Sequence, residues 1–293
     1  MPNPLPLWHQ RENRIAFGAV LPALILVLGF FVYPVGFAVF ISFTKSNGVY
    51  FDWRGLDNYL AVFHDPTFYK VLIVTLKFMV SVPLVVLFAV FCSVLLFEKI
   101  RGWRFFRVVF FLPSVLSAAV IGIMFRSLFA YYGPVNSLLG LVGTGPISFF
   151  VESSYSIWII IFALVWSGFG YQSVLILSAL NSIAPEVFEA AALDGAGWWR
   201  RLWSITLPNI VRVLGFVFII NVLYTFTSLF GFIFVMTAGG PGFETTSIDY
   251  LVYQKAFSAS NLGGGAALAV VMFGIIGVLT LLQSKIFKVS EDN

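Results

Sequence analysis

The stretch NSIAPEVFEAAALDGAGWWRRLWSIT, Asn181–Thr206, separates two long apolar runs, Tyr155–Ala179 and Leu207–Met236. It spans about 26 residues, whereas a simple connection between packed helices needs roughly two to eight. It is also organised. Ala184-Pro185-Glu186 reads as a helix start, with Pro tolerated in the first turn and an acid favoured near the positive end of the dipole. Val187–Leu193 is Ala-rich and favours helix, and its small residues allow another backbone to approach closely. Asp194-Gly195 breaks that helix, Gly supplying a left-handed cap. A second helical run begins at Ala196, with Trp198, Trp199, Leu202, Trp203 and Ile205 apolar and Arg200 and Arg201 charged. The expected arrangement is a helix–turn–helix along a membrane surface, ending where Leu207-Pro208 begins the next span.

The flanking runs set the solvent. Of 293 residues, 60% are hydrophobic and 10% charged, against about 45–50% and 25% for soluble domains. Thirty-four Phe and eight Trp agree with lipid as surroundings. A crossing helix needs about 20 apolar residues, and six stretches qualify: Ile15–Phe43, Val71–Phe97, Phe105–Phe129, Tyr155–Ala179, Leu207–Met236 and Gly264–Phe287. The fold class is therefore an all-α membrane protein with six transmembrane helices. Pro22, Pro34, Pro83 and Pro113 lie in or beside spans, where neighbouring helices can satisfy the freed carbonyls. The first run is too long for the hydrophobic region of a secretory signal, and no small-residue cleavage site ends it, so no cleaved leader is expected.

Basic residues orient the chain. With the N-terminus inside, the cytoplasmic side holds eleven: Arg11, Arg14, Lys99, Arg101, Arg104, Arg107, Arg200, Arg201, Arg212, Lys285 and Lys288. The outer side holds five: Lys45, Arg54, Lys70, Arg126 and Lys255. Both termini are therefore expected in the cytoplasm, with the Asn181–Thr206 segment on the same side between helices 4 and 5. The outer loops Thr44–Lys70, Tyr131–Ser154 and Gly239–Leu262 carry turn chemistry, including Asp65-Pro66 and Gly239-Gly240-Pro241-Gly242. Trp53, Tyr59, Phe243, Tyr250 and Tyr253 in these loops suit either partner contact or interfacial anchoring. None is long enough for a separate domain, so residues 1–293 are expected to form one membrane domain, with core helices over about 71–287 and the polar insert at 181–206.

Glu189-Ala190-Ala191-Ala192-Leu193-Asp194-Gly195-Ala196, followed by Ile205-Thr206-Leu207-Pro208, resembles the EAA loop of binding-protein-dependent ABC importer permeases. Gly55-Leu56-Asp57-Asn58-Tyr59, Phe110-Phe111-Leu112-Pro113 and Val235-Met236-Thr237-Ala238-Gly239-Gly240-Pro241-Gly242 are similar to the carbohydrate-type branch, which includes maltose and glycerol-3-phosphate permeases. The resemblance implies a permease paired with a second, non-identical permease subunit and two ATPase subunits. It also implies an extracytoplasmic solute-binding protein and a bacterial or archaeal cell membrane. It makes Glu189, Ala190, Ala191, Asp194, Gly195, Leu207 and Pro208 the contact with the ATPase.

The other chemistry of the chain agrees. No G-x-x-x-x-G-K-[ST] phosphate loop occurs, so ATP and Mg are expected in a partner chain and no cofactor in this one. One Cys (Cys92) and two His (His9 and His64) leave little for a metal centre and no Ser/His/Asp arrangement, so the expected catalytic set is empty and the chain is a non-catalytic transport subunit. Nothing points to nucleic acid. A secondary transporter is the competing class, and it would place ionisable residues mid-membrane; here only Lys77 lies away from a span end, and it can snorkel outward. A membrane-embedded enzyme lacks candidate carboxylates within the spans.

Polar residues inside lipid face protein or water. Asn221, Tyr224, Thr225 and Ser228 recur at i, i+3, i+4 and i+7 on one face of the fifth span. Trp166, Gly168, Tyr171 and Gln172 lie on the fourth. Uncharged amide, hydroxyl and aromatic groups suit a sugar, and interhelical packing by small polar residues is the plain alternative; the resemblance leaves glycerol phosphate or another polyol open as the solute, since similar permeases carry those. Resemblance to maltose-type permeases favours the same two spans.

Overall fold

A computed structural model describes residues 18–289. His9, Arg11, Arg14 and the first residues of the expected first span lie outside the described residues. Five helices are long and apolar enough to cross a membrane: α1 (Gly18–Ser42), α3 (Pro66–Phe97), α7 (Ser154–Leu180), α9 (Trp198–Thr227) and α12 (Leu262–Ile286). A sixth crossing is available only as a broken one. Its halves, α4 (Trp103–Val115) and α5 (Ala118–Leu128), meet at 99°. Pro113, in the short 3₁₀ turn Leu112–Val115, is buried, and Ser117 starts α5 by accepting the Val120 N–H. The expected third span, Phe105–Phe129, is thus a bent pair rather than one continuous helix.

The remaining elements are β1 (Thr44–Ser46), β2 (Phe51–Trp53), α2 (Asp57–His64), α6 (Pro134–Leu141), α8 (Pro185–Leu193), α10 (Phe230–Met236) and α11 (Ile248–Tyr253). The strands are antiparallel, with Thr44 opposite Trp53 and Lys45 opposite Asp52. Their turn is built on Asn47, whose Oδ1 accepts the Val49 and Tyr50 N–H groups. The sequence reading did not anticipate this hairpin in an otherwise helical chain.

The described residues fall into two compact units. One comprises residues 18–62 together with Lys255–Val271. In it Asn58 Nδ2 donates to the carbonyls of Ser42 (2.9 Å) and Thr44 (2.8 Å), and the Tyr59 and Ser42 hydroxyls lie 2.5 Å apart. The Gly55–Tyr59 motif thereby ties α2 to the end of α1. The apolar side chains of α1 are exposed, Phe30 and Phe31 by 70% or more, as expected of a helix apolar all round that meets lipid or another chain.

The second unit is Phe63–Gln254 with residues 272–289. Its core joins α3, α5, α7 and α10 through Phe78, Val85, Ile121, Phe125, Ile160 and Phe232. A second cluster joins the other end of α3 to α7 and α9 through Ala89, Ile176, Leu180, Ile210 and Val217. Small residues bring these backbones together. Ser93 Oγ donates to the Ser173 carbonyl at 2.8 Å, and a Cβ on Gly170 would stand 1.9 Å from the Phe110 carbonyl oxygen.

Candidate functional site

The polar insert folds as its residues dictate at one end and differently at the other. α8 begins at Pro185 and ends in a Schellman cap: the Gly195 N–H donates to Ala192 O (3.1 Å) and the Ala196 N–H to Ala191 O (2.9 Å). Gly195 has φ +72°, the left-handed conformation that glycine adopts without strain. Glu189, Ala190, Ala192 and Asp194 are exposed, Leu193 almost wholly so, while Ala191 is buried. Two side-chain contacts anchor this segment to the end of α3. The Phe188 and Phe97 rings lie 5.4 Å apart, and Trp198 Nε1 donates to Glu98 Oε1 at 2.5 Å.

The second helical run is not a separate surface helix. Residues from Trp198 continue into α9 as one 30-residue helix. Leu202–Thr206 within it is π-helical, immediately before Leu207 and the exposed Pro208. Proline offers no N–H and its ring crowds the preceding turn, so a widened turn there accommodates it without ending the helix.

The candidate solute residues divide. Asn221 and Thr225 are buried and bonded within their own helix: Asn221 Nδ2 donates to Val217 O (2.7 Å) and Thr225 Oγ1 to Asn221 O (2.9 Å). Tyr224 is exposed and Ser228 half-buried. On α7, Tyr171 is exposed, Gln172 is buried with its Oε1 unpartnered, and Gly168 lies against Val85 of α3. Trp166 packs 5.8 Å from the Phe125 ring and lines an apolar cavity of about 480 Å³ with Phe88, Phe162 and Phe169. Gln172 is therefore the one of the eight with a buried, free acceptor, and Tyr171 and Tyr224 the two aromatics open for contact.

The fifth apolar run does not continue to Met236 as expected. α9 ends at Thr227, and α10 restarts at Phe230. The cause is Asp249, whose Oδ2 accepts the Phe230 N–H at 2.6 Å, while its Oδ1 accepts from the Tyr250 N–H (2.9 Å) and the Ser247 hydroxyl. Burial pushes this carboxyl above the usual Asp range, against the Ser247 hydroxyl and the Phe230, Tyr250 and Asp249 backbone donors that favour its charged form. Beside it, the Gly-Gly-Pro-Gly segment is knitted by buried threonines: Thr245 Oγ1 donates to Gly240 O (2.8 Å) and Thr246 Oγ1 to Gly239 O (3.0 Å). Tyr250, read from sequence as an outer contact or anchor, is buried against Phe230 and Tyr253. Sequence reasoning missed Asp249, although a lone acid in the otherwise uncharged stretch Thr245–Gln254 was the available signal. Lys70 and Glu244 form an exposed ion pair at 2.7 Å, and Lys70 holds the Glu244 carboxyl below its usual range. Among the described residues, no three His, Cys, Asp or Glu side chains group to hold a metal ion.

These features define a polytopic helical membrane protein with an exposed, rigidly capped helix between α7 and α9. The chain belongs to the family of binding-protein-dependent transport system inner membrane components, whose model matches residues 58–288. It is 36% identical over 281 residues to the multiple sugar-binding transport system permease protein MsmF of Streptococcus mutans serotype c, covering 92% of this chain and 93% of the relative. It is 32% identical over 282 residues to the sn-glycerol-3-phosphate transport system permease protein UgpA of Escherichia coli O157:H7, covering 93% and 94%. Its fold matches a bacterial ABC transporter involved in the import of the acidic polysaccharide alginate, with TM-score 0.84, 21% identity, and 96% and 98% of the two chains covered. A bacterial alginate ABC transporter in complex with alginate pentasaccharide-bound periplasmic protein gives TM-score 0.81 at 21% identity, over 94% of this chain and 95% of that one. The chain is the multi-pass permease component of an ABC importer.

Proposed function

We propose that this permease carries a sugar or sugar-like solute into the cytoplasm, driven by ATP hydrolysis in a partner. The observation that carries this reading is the exposed α8, small-residued and fixed by the Gly195 cap, in a chain whose relatives include a multiple-sugar permease. Two ATPase subunits hold ATP and Mg and grip Glu189–Gly195 from the cytoplasm, where both termini also lie. A second, unlike permease subunit completes the pathway, and an extracytoplasmic binding protein delivers solute over the outer loops; a relative of this fold is complexed with a solute-loaded periplasmic protein. Uncharged Tyr171, Gln172, Asn221, Tyr224, Thr225 and Ser228, with Trp166 and Gly168, offer stacking and hydrogen bonds suited to hydroxylated solutes.

Glycerol phosphate or another polyol is the second reading, favoured by the likeness to UgpA. Solute-stimulated ATPase activity of the reconstituted complex, with its binding protein, across a panel of sugars, polyols and glycerol phosphate separates the two. Solute flux through this chain alone, without ATP, refutes both.

A further inference from the structure

Next to α8, and apart from the candidate solute residues, the larger unit carries a groove of two chemistries. Its apolar part, about 580 Å³, runs between Leu87, Phe91 and Leu95 of α3 and Trp199 and Trp203 of α9. That lies within the roughly 300–1,000 Å³ usual for small-molecule pockets. Its polar part, about 340 Å³, is bordered by Glu98, Arg201 and Thr206, and the two share Val94, Trp198 and Leu202 as walls. The two adjoin across those shared side chains, one apolar and the other polar.

Depth is fixed by the sequence. α3 is apolar until it ends at Phe97, and Glu98 follows directly, so the polar half sits where the span leaves hydrocarbon. Trp198 is bonded to Glu98, and Trp199 and Trp203 line the adjoining apolar part; indole rings favour membrane–water interfaces. The occupant must therefore place apolar chain between α3 and α9 and polar groups at the interface. Its charge is also specified. Glu98 has one carboxylate oxygen taken by Trp198 Nε1, leaving the other free in that bond. Arg201 offers the planar donor fork that matches phosphate. A head group with phosphate alone would satisfy Arg201 but set a second anion beside Glu98.

We propose that this cleft binds an aminophospholipid, with an acyl chain between α3 and the Trp-lined start of α9, phosphate on Arg201 and the primary ammonium on Glu98. The site rests only on the chain being embedded in a membrane, whatever solute it carries. It is tested with the full-length chain, purified with the chains that accompany it and reconstituted in vesicles containing phosphatidylethanolamine or phosphatidylglycerol with a photoreactive acyl chain. Labelling of residues 83–95 and 198–207, read by mass spectrometry, is expected several-fold higher with phosphatidylethanolamine. Arg201→Gln should lower labelling by both lipids, and Glu98→Gln should erase the preference between them. Equal labelling of the wild-type protein by both lipids would show ordinary boundary lipid and overturn the proposal. Absence of lipid labelling, with these peptides crosslinking to a second protein chain, would also overturn it. The wild-type comparison stands even where a variant fails to fold.

Discussion

The cap at Gly195 gives the sharpest handle on the proposed ATPase contact. A Cβ added there meets no atom within 4 Å, so the cost of Gly195→Ala is conformational alone. An L-residue held at φ +72° costs about 1–2 kcal/mol. At about 1.4 kcal/mol per tenfold, that lowers the population of the capped turn roughly 5- to 30-fold relative to uncapped forms. Asn tolerates the left-handed region better, so Gly195→Asn should fall between wild type and Ala. Gly195→Pro is more severe. Its ring fixes φ near −65°, and it lacks the N–H that reaches Ala192 O. Losing the two cap bonds, at about 0.5–1.5 kcal/mol each, adds to the conformational cost.

Because the turn is exposed and apart from both buried clusters, none of these changes should disturb insertion. Uptake by vesicles and co-purification of the ATPase should fall in the order Gly, Asn, Ala, Pro, while the amount of chain in the membrane stays level. Wild-type uptake by Gly195→Pro, at equal amounts in the membrane, would refute the view that the geometry of this turn matters to coupling.

Glu189→Lys reverses the charge on the exposed face of α8 and should reduce ATPase co-purification while leaving thermal stability near wild type, both read on the detergent-purified complex. Gly170→Ala forces a Cβ toward the Phe110 carbonyl; it should destabilise by about 1–3 kcal/mol, as overpacking does, and lower the melting temperature measurably. Asp249 has its folded-state pKa raised by burial, so its contribution to stability is complete below the ordinary Asp pKa and is lost as pH rises through the raised value. Melting temperatures across acidic to neutral pH should therefore fall more for wild type than for Asp249→Asn, and parallel curves would contradict this. The Lys70–Glu244 pair has the opposite sign: Glu244 is lowered, so its contribution holds above the ordinary Glu pKa and is lost as pH falls through the lowered value. Glu244→Gln should have a small effect that vanishes in high salt, as for exposed pairs.

What was legible in the sequence followed from local causes. Span length needs only a count of apolar residues, and four of the six expected crossings appear as single long helices near their expected ranges. The α8 boundaries were legible because Pro185 and Asp194-Gly195 act within one turn of themselves. The bend between α4 and α5 was half legible: Pro113 marks the place, but the 99° angle depends on how α7 presents Gly170 to the Phe110 carbonyl. The hairpin was invisible, since three-residue strands held by one Asn turn leave no period to read.

The split of the fifth run shows why hydropathy could not resolve this part of the permease. Leu207–Met236 carries no charge beyond Arg212, and nothing within it except Ser228 argues for a stop. The stop becomes stable only because a carboxylate from 19 residues later along the chain reaches the Phe230 N–H. A broken helix in a low-dielectric setting leaves N–H groups that need partners, and the Asp249 carboxyl oxygen supplies one at the start of α10. Asp249 in turn is held by Ser247 and by its neighbour's N–H, in the same segment whose threonines close the Gly-Gly-Pro-Gly loop. The loop motif, the buried Thr-Thr-Ser run and the helix break are thus one hydrogen-bonded structure. Asp249→Ala should therefore loosen both the loop and the start of α10, seen as faster hydrogen exchange at Phe230 and at Thr245–Ser247 together. Exchange that changes at one site and not the other would mean the two are held separately.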